Sequence, residues 1–168
     1  MTKFALAAVI GAAFIAGVFA ALSFPAVRAA DMAAASPTQG WTLHVDAEKH
    51  FGDAHPTEIA HHWCKAVSNG LTECQLYSSD APNAQIVGLE TIVSPAVYKT
   101  FPASEQALWH YHKDEIPRVH ATLPGLSPEQ AKKVVDSISD TYGKVYILFD
   151  PMATGDQPTG QPSVVVPK

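Results

Sequence analysis

Two short histidine motifs contain most of the side chains in this sequence that could perform chemistry. The first is His61-His62-Trp63-Cys64, which Cys74 follows, and the second is His110-Tyr111-His112. Imidazole and carboxylate at a half-buried position form a ligand set that suits zinc, iron or manganese. These motifs and a nearby acidic residue are therefore candidates for a mononuclear site that holds one divalent metal ion.

The predicted metal site has several candidate members and one competing interpretation. The candidate ligands are His62, His110, His112 and Glu90, and the further polar neighbours are His61 and Glu115. The competing interpretation is that Glu90 pairs with a histidine in a buried polar network that contains no metal. Spacing alone leaves both interpretations open, because the sequence has no HExxH or comparable motif.

The meaning of His110-Tyr111-His112 depends on its secondary structure. On a strand, residues two apart point the same way and can bind one ion together, whereas on a helix they lie about 200° apart. The i, i+4, i+8 spacing of Leu108, His112 and Ile116 predicts a helix that starts at Pro102 and ends before Pro117. A helix favours His112 as the inward residue, with Glu115 on its face, and disfavours chelation by both imidazoles unless the helix ends near Trp109.

The two cysteines are predicted to face each other across a β-hairpin. Strands at Glu58–Val67 and Leu71–Tyr77 flank Ser-Asn-Gly, a three-residue loop that places Cys64 opposite Cys74. In an oxidising compartment such a pair is most simply a disulfide. Thiolate ligation beside His62, and a catalytic thiol that uses His62 as its base, remain alternatives. His62 and Cys64 share one face of the strand, and His61 lies on the other.

The remaining elements predict an α+β fold. Gln85–Val93 is a buried strand that includes Glu90, so residues 58–93 form a three-stranded meander, and strand 144–149 returns to the sheet. Ser94-Pro95 and Pro102 start two helices, and Ser127-Pro128-Glu129-Gln130 is a capping box for a third, which Gly143 ends. We expect two or three helices to cover an antiparallel sheet. Trp41–Phe51 is compatible with a strand or an irregular segment, and its histidines, His44 and His50, and the following His55 are expected to be exposed or hydrogen-bonded at the surface.

The amino-terminal residues predict export. The run from Phe4 to Leu22 contains no charge, and small residues near Ala29 offer a signal-peptidase site, so residues 1–30 read as a signal peptide of a periplasmic protein. An uncleaved membrane anchor is the alternative. Residues 31–40 read as a flexible linker, 41–150 as one globular domain and 151–168 as an extended Pro/Gly-rich tail that docks Ser163–Val166 on a sheet edge.

The charge of the chain disfavours polyanionic partners. The net charge is −5, and loss of Lys3 and Arg28 with the leader takes it to −7. Nucleic acids and anionic membranes require a basic patch, which this sequence lacks, so we expect neither as a partner. A small ligand or a lipid remains open, and the sequence does not determine the oligomeric state.

Several separated motifs together resemble the oil body-associated protein family. They are His61-His62-Trp63-Cys64, Cys74 to Asp80, Pro82 to Glu90, and Leu108 to His112, and the resemblance spans about Val45 to Leu123. Plant members associate with seed lipid droplets, and the family has no settled enzymatic activity. The resemblance thus implies a shared fold more directly than a shared role.

This chain departs from the plant members in two respects, and the departures shape the functional hypotheses. It has an export leader, and Lys113-Asp114-Glu115-Ile116 follows His112 where plant members tend to have a Tyr-Glu-Val ending. Plant members keep such cysteines in reducing compartments, which favours a packing or ligand role for the pair. The first hypothesis is an exported, non-catalytic binding or envelope protein with a buried His/Glu cluster. The second is a metal-dependent enzyme that uses this cluster.

Overall fold

A seven-stranded antiparallel sheet is the framework of the protein in this computed structural model, which describes residues 36–49 and 58–166. The order of the strands across the sheet is β1-β2-β3-β4-β6-β5, and β7 pairs with β6 along the same edge as β5. The strands are β1 (Leu43–Glu48), β2 (Ile59–Ala66), β3 (Thr72–Tyr77), β4 (Ile86–Val93), β5 (His110–Tyr111), β6 (Tyr142–Ile147) and β7 (Ser163–Val165). The predicted α+β class, the meander and the returning strand are confirmed, and within the ambiguous segment Trp41–Phe51 the residues Leu43–Glu48 form a strand.

The turn between β2 and β3 sets the register on which the predicted hairpin depends. Ser68–Gly70 forms a single 3-10 turn in which Asn69 and Gly70 have φ values of 61° and 72°. Both values lie in the left-handed region that Gly and Asn tolerate best. As predicted, this turn places Cys64 directly opposite Cys74.

The two faces of the sheet differ in burial because successive strand residues point to opposite sides. One face forms the apolar core, whose buried members are Ala60, Cys64, Cys74, Leu76, Ile92 and Val145. We call it the inner face. The opposite face, the outer face, presents His61 and Trp63 of β2, which are only partly buried. Adjacent residues of one strand, such as His61 and His62, therefore lie on different faces of the sheet.

Five α-helices occur in the described part of the chain, and four of them are single turns. Their ranges are α1 (Pro95–Tyr98), α2 (Ala103–Gln106), α3 (His112–Glu115), α4 (Pro128–Ser139) and α5 (Pro151–Thr154). The predicted capping box of α4 is confirmed, since Ser127 Oγ accepts from the Gln130 N–H and Gln130 Oε1 accepts from the Ser127 N–H. The predicted end of this helix at Gly143 is wrong, because Gly143 lies within β6 and pairs with both neighbouring strands.

The predicted helix from Pro102 to Ile116 is also wrong. Helix α2 ends at Gln106, His110 and Tyr111 pair with Gly143 and Tyr142 of β6, and α3 starts at His112. The Tyr111 ring stacks on that of Tyr142, with centroids 4.9 Å apart. Pairing and stacking with β6 stabilise the extended conformation, and local helix periodicity cannot report such distant contacts.

Several predicted segments lie wholly or partly outside the described residues. The predicted signal peptide, 1–30, His50 and His55 lie outside them, and only residues 36–40 of the predicted linker are described. In the segment predicted as an extended tail, the chain forms α5 and then β7, which pairs with β6 as an edge strand. None of the helices in residues 36–49 and 58–166 has the length and apolar character needed to cross a bilayer.

Candidate metal centre

Five ionisable side chains meet on the inner face of the sheet. They come from three strands and one helix: His62 from β2, Glu90 from β4, His110 from β5, and His112 and Glu115 from α3. All except His62 are buried, and the His62 side chain is 11% exposed. The structure thus brings together the four predicted ligands and adds Glu115, and we call these five residues the inner cluster.

The short strand β5 allows both histidines of the second motif to enter the inner cluster. His110 pairs with Gly143 of β6, and the chain turns into α3 at His112, so that the two imidazole rings lie 4.9 Å apart and perpendicular. The prediction that one of the two histidines faces away was wrong, because it assumed a continuous helix. A side chain at Gly143 would displace the cluster, since a Cβ atom there would lie 2.2 Å from Glu90 Oε1 and 2.6 Å from the His110 ring.

Glu90 is the centre of the inner cluster. Its Oε1 lies 3.1 Å from His112 Nε2 and 3.4 Å from His110 Nε2, and its Oε2 lies 3.8 Å from His62 Nε2. The ligand atoms of Glu90, His110 and His112 all lie within 4.8 Å of one another. Glu115 Oε2 contacts the same imidazoles from the other side, 2.9 Å from His110 Nε2 and 3.9 Å from His112 Nε2.

Hydrogen bonds outside the cluster determine which nitrogen of two imidazoles carries a proton. The Thr141 hydroxyl donates to the Ile138 carbonyl, so its oxygen accepts from Nδ1 of His112, 2.8 Å away. Nδ1 of His62 donates to the carbonyls of Ala60 and Val45, at 2.9 and 3.2 Å. In the neutral ring each Nε2 therefore presents a lone pair toward the Glu90 carboxylate. The lone pair of His112 and that of His62 thus each face a carboxylate oxygen of Glu90, and this is unfavourable unless a proton or a cation lies between them.

His110 lacks the outer hydrogen bond that the other two imidazoles have. Neither of its buried ring nitrogens has a well-directed hydrogen bond, and the 2.9 Å contact of Nε2 with Glu115 Oε2 is an ion pair. Burial lowers the pKa of His110, but the carboxylates of Glu115 and Glu90 outweigh burial and raise it to about 9. For the Glu90 carboxyl, burial acts in the opposite direction and raises the pKa. Contacts with His110 and His112 more than offset burial, so the pKa of Glu90 lies well below its ordinary value.

A cavity of about 80 Å³ adjoins the inner cluster. Its polar wall consists of His62, Glu90, His112 and Glu115, and its apolar wall includes Val45, Ile92, Ile116, Val119, Ile138 and Val145. A metal ion held by Glu90, His110 and His112 would therefore have an open position toward a small, largely apolar space. This arrangement is typical of metal sites that bind an exogenous group.

The predicted disulfide between Cys64 and Cys74 is confirmed. The bond joins β2 and β3 on the inner face, and both cysteines are buried. Neither described cysteine is free. The alternatives of thiolate ligation and of a catalytic thiol are therefore wrong for this structure.

The predicted polar neighbours separate onto the two faces of the sheet. Glu115 joins the inner cluster, whereas His61 lies on the outer face beside His44, Asp46 and Asp80. His44 is hydrogen-bonded there, one of the two states expected of it. Sequence reasoning missed Thr141, whose contact with His112 spans 29 residues and leaves no local pattern. It also missed Asp46, although His44 and Asp46 have the two-residue spacing of one strand face.

Comparison with known proteins identifies a family and several plant relatives. The model of the family described as "Protein of unknown function (DUF1264)" matches residues 35–168. Oil body-associated protein 1B of Arabidopsis thaliana is 34% identical over 107 residues, which are 64% of this chain and 44% of the relative. Oil body-associated protein 2A of Zea mays is 33% identical over 107 residues, 63% of this chain and 42% of the relative. Oil body-associated protein 2A of Arabidopsis thaliana is 26% identical over 139 residues, 82% and 56% of the two chains.

These comparisons identify a family that is described as of unknown function, and no structural precedent. The chain spans about half the length of the curated relatives that it matches. No solved structure matches the chain.

Proposed function

The chain belongs to the DUF1264 family, with oil body-associated proteins among its relatives, and from this premise we propose that it is a non-catalytic binding protein whose inner cluster holds one divalent metal ion. The ligands in this proposal are Glu90, His110 and His112. His62 and Glu115 complete the surroundings of the ion. The bound ion and the adjoining cavity together would receive a small ligand.

The observation that best supports the metal is the outer hydrogen bonding of His112. The Thr141 hydroxyl oxygen accepts a hydrogen bond from the Nδ1–H of His112, and this leaves Nε2 directed at Glu90 from 3.1 Å. Metal-binding histidines have their outer N–H hydrogen-bonded in this way, which leaves the inner lone pair available for the ion. His62 has the same arrangement with backbone carbonyls as acceptors.

The imidazole of His110 gives further support. Buried polar atoms almost always have well-directed hydrogen bonds, and each exception requires an explanation. A metal ion in contact with Nε2 would add a directed bond to a nitrogen that otherwise has only ion-pair contacts with Glu115 and Glu90. The set of imidazole and carboxylate ligands suits zinc, iron or manganese, and among these a buried site with few oxygen donors favours zinc.

The size of the cavity restricts the ligand. Pockets for drug-sized molecules measure about 300–1,000 Å³, so a cavity of about 80 Å³ accepts only a group of a few heavy atoms. A complete lipid does not fit, although the printed names of the relatives refer to oil bodies. We therefore propose a small anion or a short acyl end as the ligand, with its polar atom at the open position of the ion.

Elemental analysis of the full chain tests the metal proposal. We expect stoichiometric zinc, iron or manganese after purification from the native host, and loss of this metal in His112→Ala and His62→Ala. His120→Ala is the matched control, because His120 is an exposed histidine that pairs with Glu48 away from the inner cluster. A metal-free wild-type protein that fails to take up added Zn²⁺, Fe²⁺ or Mn²⁺ and remains equally stable would remove the proposal.

A metal-dependent enzyme is the second candidate function. The cavity places an open coordination position next to Glu115, a carboxylate that could hold or move a proton. A bound divalent ion would supply Lewis acidity and would activate water. Hydrolysis of a small activated ester such as p-nitrophenyl acetate tests this candidate. Activity that requires metal and disappears in Glu115→Gln, while the metal remains bound, would favour the enzyme over the non-catalytic protein.

We also propose that the protein is exported, because the Cys64–Cys74 disulfide is typical of proteins in oxidising compartments. The uncharged run Phe4–Leu22 is the sequence feature that agrees with it. Cell fractionation with mass spectrometry of the mature amino terminus tests this proposal. Recovery of the full-length protein with two reactive thiols in the reducing cytoplasm would contradict it.

A further inference from the structure

We infer that the outer face of the sheet holds a second divalent-metal site, formed by His44, Asp46, His61 and Asp80, and that it takes Zn²⁺. We call these residues the outer cluster. This inference is independent of the proposed function, because none of the four residues belongs to the inner cluster. The outer cluster is also more accessible to solvent.

The sheet itself assembles three of the four ligands. His44 and Asp46 are two residues apart on β1, so they point to the same side, and Asp46 is the direct cross-strand partner of His61 on β2. Two backbone hydrogen bonds between Asp46 and Thr122 hold this part of β1 from its other edge. Asp80 comes from the turn that follows β3 and closes the group.

The four ligand atoms form a closed ring in which nitrogen and oxygen alternate. His44 Nε2 lies 3.0 Å from Asp46 Oδ1 and 2.9 Å from Asp80 Oδ1. His61 Nδ1 lies 2.8 and 3.1 Å from the same two oxygens. In a tetrahedral zinc site with bonds of about 2.0–2.1 Å, neighbouring ligand atoms lie about 3.3 Å apart. These four contacts would therefore lengthen by a few tenths of an ångström around the ion.

Hydrogen bonds alone do not account well for this geometry. Each imidazole nitrogen faces two carboxylate oxygens, but a nitrogen carries at most one proton, which can point directly at only one of them. A cation at the centre of the ring contacts all four atoms at once. Two imidazoles and two carboxylates also form a common zinc ligand set, and zinc accepts such a set in tetrahedral geometry.

The surroundings of the outer cluster combine a rigid side with an open side. The His44 ring stacks on Trp63, with centroids 4.3 Å apart and planes 9° from parallel, which holds the imidazole in place. The Asp80 side chain is 43% exposed, whereas His44 and His61 are 11% and 17% exposed. An ion can therefore enter past Asp80 from a polar cavity of about 340 Å³ that Trp63 and Asp80 also line.

Zinc titration of a variant without the inner ligand His112 isolates this site. We expect full-length His112→Ala to bind Zn²⁺ at one site, as measured by competition with a chromophoric chelator. Adding Asp80→Asn or His61→Gln to this background should weaken binding about tenfold or more, because even the loss of an outer hydrogen-bond partner costs about 10–100-fold in metal affinity. Asp136→Asn and His120→Gln, which alter exposed residues elsewhere, are the matched controls and should leave the affinity unchanged.

The stacked Trp63 provides a second measurement at the site itself. In the full chain with Trp41→Phe and Trp109→Phe, Trp63 is the remaining tryptophan, and Cu²⁺ bound to His44 should quench its fluorescence. Asp80→Asn and His61→Gln should shift this quenching to higher Cu²⁺ concentration by a similar factor, and His112→Ala should not. Far-UV circular dichroism establishes that each variant retains the sheet.

The two measurements give the inference a clear outcome. Weakened binding and quenching in both outer-cluster variants, with unchanged controls, support the site. Folded variants that bind Zn²⁺ with wild-type affinity, or a folded His112→Ala protein that binds none, overturn it. If the His112→Ala protein binds no Zn²⁺, the inference of an outer site fails but the proposed inner site stands. If the wild-type protein binds Zn²⁺ at the outer cluster alone, only the proposed inner site fails.

Discussion

At the scale of single residues, the inner cluster depends on groups that lie just outside it. His112 and His62 donate from Nδ1 to Thr141 and to backbone carbonyls, and these bonds direct both Nε2 atoms inward. Gly143 leaves the space that Glu90 and His110 occupy. These neighbours determine the direction and separation of the ligands, so changes to them should affect the metal without removing a ligand.

Replacement of Thr141 by Val should weaken metal binding at the inner cluster. The variant keeps the shape of the side chain but removes the acceptor of the His112 Nδ1–H, and loss of such a partner costs about 10–100-fold in metal affinity. Chelator competition with Zn²⁺ measures the effect. Thr91→Val on the outer-facing side of β4 is the control, and an affinity in Thr141→Val equal to that of the control would contradict the assigned role of Thr141.

Replacement of Gly143 by Ala should disrupt the inner cluster as well as the fold. The added Cβ would lie 2.2 Å from Glu90 Oε1, and overpacking of this kind costs about 1–3 kcal/mol of unfolding free energy. Gly88→Ala is the matched control, because its Cβ would lie 2.6 Å from the Tyr146 carbonyl oxygen, away from the cluster. Urea unfolding should show destabilisation in both variants, and Zn²⁺ titration should show a loss of affinity in Gly143→Ala alone. Equal affinities in the two would argue against a steric role for Gly143.

At the scale of elements, the sequence predicts those parts of the fold whose signals are local. The three-residue turn at 68–70 determines the Cys64–Cys74 register, and the capping box at Ser127 determines the start of α4. The segment from Pro102 to Ile116 was not predictable in this way. Its path depends on pairing with β6 and on contacts such as the one between Glu105 and Lys144, which lie 39 residues apart.

The contact between α2 and β6 should make stability depend on pH. The Lys144 ammonium and the Trp109 indole N–H donate to Glu105 Oε1 at 2.7 and 2.9 Å, and they lower the pKa of Glu105 below its ordinary value of 4.5. A lowered folded-state pKa means that the contribution is complete above the unfolded pKa and is lost as pH falls through the folded one. Glu105→Gln should therefore destabilise the protein more at pH 7 than at pH 3.

Urea unfolding of the wild type and of Glu105→Gln at both pH values measures this difference. Glu129→Gln is the control, since Glu129 is an exposed residue in the first turn of α4. Its effect on stability should not follow the acid titration of Glu105. A difference between wild type and Glu105→Gln that stays constant from pH 7 to pH 3 would mean that the ion pair does not stabilise the fold.

At the scale of the whole molecule, the two faces of one sheet provide two different environments for similar chemistry. His61 and His62 are neighbours on β2, yet one lies in the outer cluster and the other in the inner cluster, because successive strand residues alternate in direction. The inner cluster adjoins a small apolar cavity, and the outer one is open to solvent. The strand β2 is thus common to both sites, and its attachment to β3 should matter for the whole protein.

The disulfide between Cys64 and Cys74 should stabilise this attachment. It closes a loop over a sequence separation of 10 residues, for which the loss of unfolded-state entropy predicts about 2–3 kcal/mol of unfolding free energy. Reduction of the wild type, which keeps both sulfur atoms, and the double variant Cys64→Ala/Cys74→Ala should each lower the urea midpoint. The double variant should lose more, because it also leaves a cavity between buried strands. If the reduced wild type unfolds at the same urea concentration as the oxidised protein, while thiol titration confirms complete reduction, the bond does not stabilise the sheet.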